Sequence, residues 1–499
     1  MTRQTDALNL RIDSAYAQAD TSYGVQATNG DEGRYADYRG SYSKGLPHDA
    51  DGRVDTDAYD AFLRALETGE NEDFEAIPLG GTHKLVSPQA AYRFELVGLD
   101  SHKTFMRPAP EFAGAECAAE MAELYCKALC RDVPFADYAT DPRIKAAVDD
   151  QNAMSATVGP TVNGRLTRDT VFRGETPGDL RGPYISQFLL RDVPYGNTRI
   201  EQRYDVPASD RDYMTDRDSW LDIKNGVRPD PLVKGNRRYI SDARALGEYV
   251  HVDYTYQAYL NAALILLSIP NTLDYDNIYG TSRTQVGFAT LGGPDVLDLV
   301  GKAGNLALTG AWYQKWLVHR RARPEAYGGC LHAQMTGAKD YGLPQEMEDC
   351  AALQRVFERH GTYYLPQAYP EGSPTHPSYP AGHAAIAGAC CTVLKAFFEP
   401  DAELSDNVVA SRMGERLEAY NGPLTVGGEI DKLANNIALG RDWAGVHYRS
   451  DGVDGLRVGE QQAIGLLLDY SRTYREQFGG WTLRTFDGDV ITIKAGAIV

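Results

Sequence analysis

The stretch "HPSYPAGHAAIAGACC" (376–391) places two histidines, two prolines and a glycine directly ahead of a run of small apolar residues. Pro380 ends one conformation, and the residues after it begin a helix whose first backbone N–H groups have no partner within the helix. Such a helix start favours an anion, and Gly382 leaves room for an oxyanion to approach the backbone. His383 then stands beside that anion as a proton donor or acceptor. The alternative is that a Gly-His pair simply starts a closely packed helix.

The small apolar residues of this stretch indicate a helix over 381–398 that is buried among other helices. Further segments with apolar residues at helical spacing are 112–132, 254–269, 293–321, 428–443 and 454–478, and a short helix is predicted at "DAYDAFLRALETG". We therefore predict a mainly α protein, a helical bundle with two halves that each resemble a four-helix bundle.

The segments outside these helices suggest a division of the chain. We expect an N-terminal arm with short helices packed on the core (1–90, irregular over 20–56), a helical domain (91–478) and a C-terminal β-hairpin (479–499) around Asp487 and Gly488. Within the helical domain, residues 157–245 are rich in Gly, Pro, Asp and Arg, which predicts a long irregular insertion.

The composition excludes several kinds of partner. The chain of 499 residues carries 50 basic and 69 acidic residues, and its net charge of −19 repels nucleic acid and anionic membranes. Its longest apolar runs, 258–269 and 384–394, are too short to span a bilayer, and its N-terminus lacks the apolar core of a secretory signal. We therefore expect a soluble, cytoplasmic protein. Its seven cysteines cannot all pair, and their helical surroundings favour reduced thiols over a disulfide framework.

A basic cluster is informative in this acidic chain. Within "WYQKWLVHRRARPEA" it comprises Lys315, Arg320, Arg321 and Arg323, and Pro324 marks a boundary after it. On a continuing helix Lys315 and Arg323 would lie about 80° apart in azimuth and roughly 12 Å apart along the axis, so both side chains would reach one anion. The alternative is a solvated helix end whose charges favour the C-terminal dipole.

A third segment, "NIALGRDWAGVHYRSDG", combines Arg441, His447 and Asp451. A helix that ends near Ala444 and Gly445 would let Arg441 and His447 converge. His447 and Asp451 are four residues apart, a spacing that lets the carboxylate fix the ring tautomer. Taken alone, this pair is explained equally well by ordinary surface pairing.

Together the three segments hold the inventory of a site for a tightly bound oxyanion: two arginines, a lysine, a helix N-terminus and two histidines. In this order and spacing they resemble the superfamily that joins vanadium-dependent haloperoxidases to type 2 phosphatidic acid phosphatases. The blocks "KWLVHRRARPEA", "EGSPTHPSYPAGHA" and "LTVGGEIDKLANNIALGRDWAGVHYRSD" are similar to signatures of the bromoperoxidases of algae and cyanobacteria. The resemblance covers about residues 90–475.

This resemblance implies vanadate as the cofactor, bonded through a ring nitrogen of His447. The other residues that it assigns are Lys315, Arg323 and Arg441 as charge partners of the vanadate, the backbone N–H of Gly382 as a donor, His383 as the group that bonds the apical oxygen and handles protons, Asp451 as the partner of His447, Asp253 as a carboxylate paired with an active-site arginine, and Trp312 and His376 beside the halide. Ala381 departs from the family motif, which has serine, and so removes a hydroxyl that would bond an equatorial oxygen.

The implied reaction is oxidation of bromide or iodide by hydrogen peroxide to hypohalous acid, which halogenates an organic acceptor. Lys315, His376 and His383 are then the catalytic residues, and vanadium(V) serves as a Lewis acid. Two alternatives stay open: a soluble acid phosphatase that uses the same pocket, and a non-catalytic oxyanion-binding homologue. The resemblance also implies a homo-oligomer, a dimer or larger, and leaves a divalent cation site open.

Overall fold

The computed structural model describes residues 2–22, 24–270, 272–274 and 276–499. Within these ranges the chain is mainly helical, as predicted. Its α-helices are α1 (Arg3–Asp20), α2 (Asp31–Arg34), α3 (Thr56–Thr68), α4 (Asn71–Glu75), α5 (Ala115–Cys130), α6 (Pro142–Gln151), α7 (Arg217–Lys224), α8 (Ala243–Tyr249), α9 (Gln257–Leu267), α10 (Ile278–Thr281), α11 (Gly293–Tyr313), α12 (Pro324–Met335), α13 (Gln345–Glu348), α14 (Ala351–His360), α15 (Gly382–Phe397), α16 (Val426–Trp443) and α17 (Arg449–Ser471). Each long predicted helix corresponds to one of these, although α17 begins five residues before the predicted segment at 454–478.

Helix α15 lies at the centre of the bundle and packs against α11, α16 and α17. All of its residues except His383 are buried. A Cβ atom added at Gly459 of α17 would lie 1.8 Å from the carbonyl oxygen of Ala385, and one added at Gly388 would lie 2.0 Å from that of Leu456. The two helices therefore touch backbone to backbone, which fixes the N-terminus of α15 within the bundle.

The predicted helix over 293–321 ends earlier than expected. A π-helical segment, Gln314–His319, extends α11, and Arg320 then adopts a left-handed conformation with a φ of 42°. Arg323 is the extended N-cap of α12, because Pro324 disfavours helical geometry in the residue before it. The expectation that Lys315 and Arg323 share one continuing helix is therefore wrong, although both side chains still reach the start of α15.

Short antiparallel strands lie outside the helical bundle. In the described ranges they form four small sheets: β1 (Val193–Tyr195) with β2 (Thr198–Ile200), β3 (Tyr204–Pro207) with β4 (Lys234–Arg238), β5 (Val408–Ala410) with β6 (Leu417–Ala419), and β7 (Trp481–Arg484) with β8 (Val490–Lys494) and β9 (Ala497–Ile498). The predicted C-terminal hairpin is present as β7 and β8, and β9 adds a third strand. The insertion over 157–245 is not wholly irregular, since it contains β1 to β4 and α7.

The N-terminal region begins with an 18-residue helix that sequence analysis missed. Helix α1 buries none of its residues, and sequence analysis did not recognise it because its few large apolar side chains stand among many polar ones. Helix α3 matches the short predicted helix, and its Tyr59 and Phe62 belong to a small core that includes Trp316 of the π-helical segment. This core attaches the N-terminal region to the segment that carries Lys315. The three-part division of the chain stays a prediction.

The helices and cysteines agree with what the composition suggests. In the part of the chain that the structure describes, no helix combines the length and apolar character needed to cross a membrane. The seven cysteines are buried as free thiols. Burial raises the pKa of Cys117 to about 12, so this thiol stays protonated and behaves as a small apolar side chain.

The contact between α15 and α17 predicts opposite effects for two glycine substitutions. Gly459→Ala drives a Cβ into a backbone carbonyl that has no room to yield, so we expect a loss of about 3 kcal/mol or more in the free energy of unfolding. Gly301→Ala is the control, because Gly301 lies within α11 with nothing within 4 Å of an added Cβ. It should stabilise the protein by about 0.5–1 kcal/mol. Urea unfolding followed by circular dichroism measures both, and equal effects would contradict the close contact.

Candidate active site

The three sequence segments meet at the N-terminus of α15. Arg323 donates from Nη1 to Nε2 of His447 over 2.9 Å, and from Nε to the carbonyl oxygen of His376 over 2.9 Å. Lys315 donates from Nζ to two main-chain carbonyls just ahead of α15, over 2.6 and 2.9 Å. Arg441 is close enough for its charge to act on both His447 and Lys315. The convergence expected from the sequence is thus present in the fold.

His447 lies between α16 and α17 with one ring nitrogen aimed into the site. Helix α16 ends at Trp443, and Gly445 takes a left-handed φ of 82°, which turns the chain as the sequence predicted. The Nδ1 atom of His447 donates to Oδ2 of Asp451 over 2.8 Å. Because that carboxylate holds the proton on Nδ1, Nε2 keeps its lone pair, which accepts the hydrogen bond from Arg323. Burial and the nearby charges of Arg323 and Lys315 lower the pKa of His447 well below its ordinary value, so the ring is neutral.

Asp451 is held by contacts that sequence analysis did not assign. Its Oδ1 accepts from Nη1 of Arg321 over 2.8 Å, and its Oδ2 also accepts from the hydroxyl of Ser378 and from the backbone N–H of Tyr448. Arg321 in turn pairs with Glu120 of α5 over 2.8 Å. Arg321 stood in the basic cluster of the sequence, but only its partners reveal that it anchors a carboxylate and not an external anion.

Three buried cations of the site have no acidic partner. Lys315, Arg323 and Arg441 are 0%, 1% and 6% exposed, and among the described residues no carboxylate forms an ion pair with any of them. Arg320 and Arg321, by contrast, pair with glutamates. The alternative of a solvated helix end is therefore wrong for this cluster. A buried charge without a partner is costly, and the arrangement calls for an anion.

The buried cations are also poorly solvated. Burial and the charge of Arg323 lower the pKa of Lys315 well below the ordinary lysine value, and burial lowers the pKa of Arg323 to about 10. The Nε atom of Arg441 is buried without a hydrogen-bond partner in the part of the chain described. A bound oxyanion would relieve all three, because it supplies negative charge and hydrogen-bond acceptors at the same place.

The first turn of α15 presents free backbone donors to the same place. In the described residues, no group accepts from the N–H of Gly382 or His383. A Cβ added at Gly382 would lie 3.2 Å from the Trp312 ring, so the glycine is needed for packing as well as for access. Ala381 is the N-cap residue and offers no side-chain acceptor to the helix. Its own N–H donates to the carbonyl of Asp451 over 2.8 Å, which ties the two parts of the site together.

The partner of His383 differs from the expectation. The Nε2 atom of His383 lies 2.9 Å from Oδ1 of Asp253. Sequence analysis expected Asp253 to pair with an active-site arginine, but Arg441 instead donates from Nη1 to the carbonyl of Val250 over 2.7 Å. The expectation is therefore wrong. In the turn after α8, the carbonyl of Val250 binds Arg441 and the carboxylate of Asp253 binds His383.

His376 and Trp312 lie side by side at the edge of the site. Their ring centroids are 4.9 Å apart. The Nδ1 atom of His376 lies 3.0 Å from Nη2 of Arg323 and 3.2 Å from the carbonyl oxygen of Pro377; because the arginine can only donate and is the nearer group, we assign Nδ1 as the acceptor and the ring proton to Nε2. Burial and the charges of Lys315 and Arg323 lower the pKa of His376 well below its ordinary value. A neutral N–H donor beside an indole ring suits a halide ion.

This set of groups fits vanadate. Three cations and two backbone N–H groups match its charged oxygens, and one neutral imidazole nitrogen is available as a ligand to the vanadium. In the described ranges no group of three or more His, Cys, Asp and Glu residues is arranged to hold a metal ion. The possible divalent cation site therefore gains no support.

Comparisons with known proteins agree with this geometry. A family model described as the VCPO second helical-bundle domain matches residues 299–474. The vanadium-dependent bromoperoxidase of Corallina officinalis is 33% identical over 91% of this chain and 90% of its own length. That of Ascophyllum nodosum is 35% identical over 98% of this chain and 92% of its own length. The homohexameric structure of the second vanadate-dependent bromoperoxidase from Ascophyllum nodosum matches 99% of this chain and 92% of that one, with a TM-score of 0.94 and 28% identity.

These findings identify the class as the vanadium-dependent haloperoxidases, whose second helical-bundle domain here runs from within α11 to just past the end of α17. Within that class, the chain belongs to the vanadium-dependent bromoperoxidase family, because relatives above 30% identity match it over nearly its whole length. The resemblance inferred from three short motifs is confirmed.

The two neutral histidines predict a specific titration. His447 and His376 should remain uncharged from pH 8 down to well below 6.5, with the proton on Nδ1 of His447 and on Nε2 of His376. Because the unfolded chain binds protons at these rings near pH 6.5 and the folded chain does not, their contribution to the free energy of unfolding is present above pH 6.5 and lost as the pH falls. Long-range ¹H–¹⁵N spectra of the histidine rings, assigned with His376→Gln, measure both tautomers; a midpoint near 6.5 for either ring would contradict the structure.

Proposed function

We propose that this chain is a vanadate-dependent haloperoxidase that oxidises bromide or iodide with hydrogen peroxide and thereby halogenates organic acceptors. The observation that carries the proposal is a group of three buried cations, which have no acidic partner among the described residues, around the unprotonated ring nitrogen of a neutral His447. An acceptor-rich anion with a Lewis-acidic centre satisfies both features at once. Membership of the bromoperoxidase family supports the same reaction.

Vanadate would be held by residues that already point to one place. His447 would supply the ligand nitrogen, and Arg323 would turn its Nη1 from that nitrogen to the anion. Lys315, Arg441 and the N–H of Gly382 would take the remaining negative oxygens. When bound, vanadate supplies a Lewis acid that activates hydrogen peroxide without a change in its own oxidation state.

The residues around the anion divide the remaining tasks. His383, oriented by Asp253, stands at the start of α15 where it can accept a proton from incoming hydrogen peroxide and return it to a leaving oxygen. His376 and Trp312 line the position proposed for the halide. Lys315 is buried within the bundle, where its positive charge would polarise an oxygen of the bound oxyanion.

We also propose that the chain forms a homo-oligomer. Leu8, Ile12 and Tyr16 follow one another at four-residue spacing on α1, and they are 57%, 43% and 68% exposed. Such a row of exposed large side chains on α1 suits contact with a second copy of the chain. The second bromoperoxidase of Ascophyllum nodosum, which shares this fold, is homohexameric.

A paired assay tests the reaction. Purified protein incubated with orthovanadate should brominate a phenolic dye in the presence of bromide and peroxide, and His447→Ala should lose this activity by at least a hundredfold because the ligand nitrogen is gone. Phosphate-ester hydrolysis without vanadate is measured beside it. Ester hydrolysis in the absence of any bromination would show that the chain is a phosphatase instead.

The alanine at position 381 gives a second prediction. Ala381→Ser restores a hydroxyl at the N-cap of α15, next to the free N–H groups, so we expect vanadate affinity to be retained or to increase by up to about tenfold, as one added hydrogen bond to a charged group allows. Ala381→Gly is the matched control and should not tighten binding, since it adds no donor. Equilibrium dialysis of vanadate gives both constants, and clearly weaker binding by the serine variant would show that this side chain does not face the anion.

A further inference from the structure

The turn after α8, residues 250–253, contacts two residues of the site. The carbonyl of Val250 accepts from Arg441, and Asp253 holds His383. The same turn packs tightly against α16, because a Cβ added at Gly440 would lie 3.1 Å from the Val250 side chain. Any movement of this turn would therefore shift both Arg441, which is expected to bind the oxyanion, and His383, which is assigned to proton handling.

His251 lies in the middle of this turn with both ring nitrogens bound. Its Nδ1 is 3.0 Å from a carboxylate oxygen of Glu248 in α8, and its Nε2 is 2.6 Å from a carboxylate oxygen of Glu371. Burial opposes a charge on the ring, but the hydrogen bonds to the two glutamates outweigh it and raise the pKa of His251 to about 9. The ring is therefore cationic at neutral pH. Lys44 adds a positive charge near Glu371, because its Nζ donates to the carbonyl oxygen of that residue over 2.7 Å.

Tyr369 connects this histidine to Arg441. The rings of His251 and Tyr369 are stacked, with centroids 3.8 Å apart and planes 10° apart. The guanidinium carbon of Arg441 lies 5.3 Å from the centroid of the same tyrosine ring, and the tyrosine hydroxyl donates to the carbonyl of Gly247 in α8. The main contacts of Arg441 are therefore the carbonyl of Val250 and the ring of Tyr369. His251 follows Val250 in the chain and stacks on Tyr369, so it is adjacent to both.

We propose that His251 is a positioning residue of the vanadate site, which fixes the 250–253 turn and the Tyr369 ring and through them the guanidinium of Arg441. This inference rests on the proposed function, because it concerns the affinity of the site for vanadate. His251 itself contacts neither the anion nor the reacting oxygens. Its side chain is 20% exposed, so it is open to substitution without a large cavity in the core.

The test compares two stacked histidines. His251→Gln keeps hydrogen-bonding capacity but removes the ring and its charge, and we expect the Kd for vanadate to rise five- to twentyfold in equilibrium dialysis. The control is His332→Gln, because His332 is stacked on Tyr364 with centroids 4.2 Å apart but lies on α12, away from the turn. Its Kd should stay within twofold of the wild type. Glu371→Gln keeps the shape of one hydrogen-bond partner of His251 but removes its charge, and it should also raise the Kd for vanadate.

A double substitution distinguishes positioning from general loosening. Arg441→Lys removes the planar group that Tyr369 orients, so adding His251→Gln to it should change the Kd by less than twofold, whereas independent effects would multiply. An unchanged Kd in His251→Gln, or losses that multiply in the double variant, would overturn the inference while the proposed function stands. If the wild-type chain failed to bind vanadate, both would fall.

Discussion

Positive charge that is buried without an acidic partner among the described residues is the constraint on which the rest of the structure depends. Placing Lys315, Arg323 and Arg441 close together inside a helical bundle costs several kcal/mol per ion before any anion arrives. Main-chain carbonyls hold them instead. Those ahead of α15 accept from Lys315 and Arg323, that of Val446 also accepts from Arg323, and that of Val250 accepts from Arg441. Contacts of this kind last only if the backbone itself is rigid. The backbone-to-backbone packing of α15 on α17, and the small core around Trp316, provide that rigidity.

Asp451 shows how a carboxylate is kept near these cations without neutralising them. One of its oxygens is taken by Arg321, and the other by His447, Ser378 and the N–H of Tyr448. With both oxygens committed, its charge serves to fix the tautomer of His447 and the start of α17. The site therefore combines an oriented, neutral His447 ring with an electrostatic potential that stays positive. Both properties depend on the contacts that hold Asp451.

Sequence patterns predicted those features of the fold that depend on interactions between residues close together in the chain. The long helices, the C-terminal hairpin and the turn at Gly445 follow from apolar spacing and glycine chemistry, and the motif residues converge as expected. The end of the helix at Arg320 was not predicted, because a π-helical segment leaves no simple mark in the pattern. The partners of Asp253, Arg321 and Ser378 also escaped, since each contact joins segments remote in sequence. Helix α1 was missed for a different reason: its few large apolar side chains stand among many polar residues, which weakens the helical pattern.

The hydrogen bond from Arg323 to Nε2 of His447 has a consequence for metal selectivity. An exposed imidazole lone pair is a common ligand for zinc, copper and nickel ions. Here a guanidinium N–H already covers that lone pair, and a divalent cation would have to displace it while entering among three positive side chains. An anion is favoured instead, because the Arg323 guanidinium that must move away from His447 then pairs with the anion. The site thus disfavours the divalent metal ions that imidazole ordinarily binds and accepts a metal only when oxygen atoms have reversed the sign of its charge.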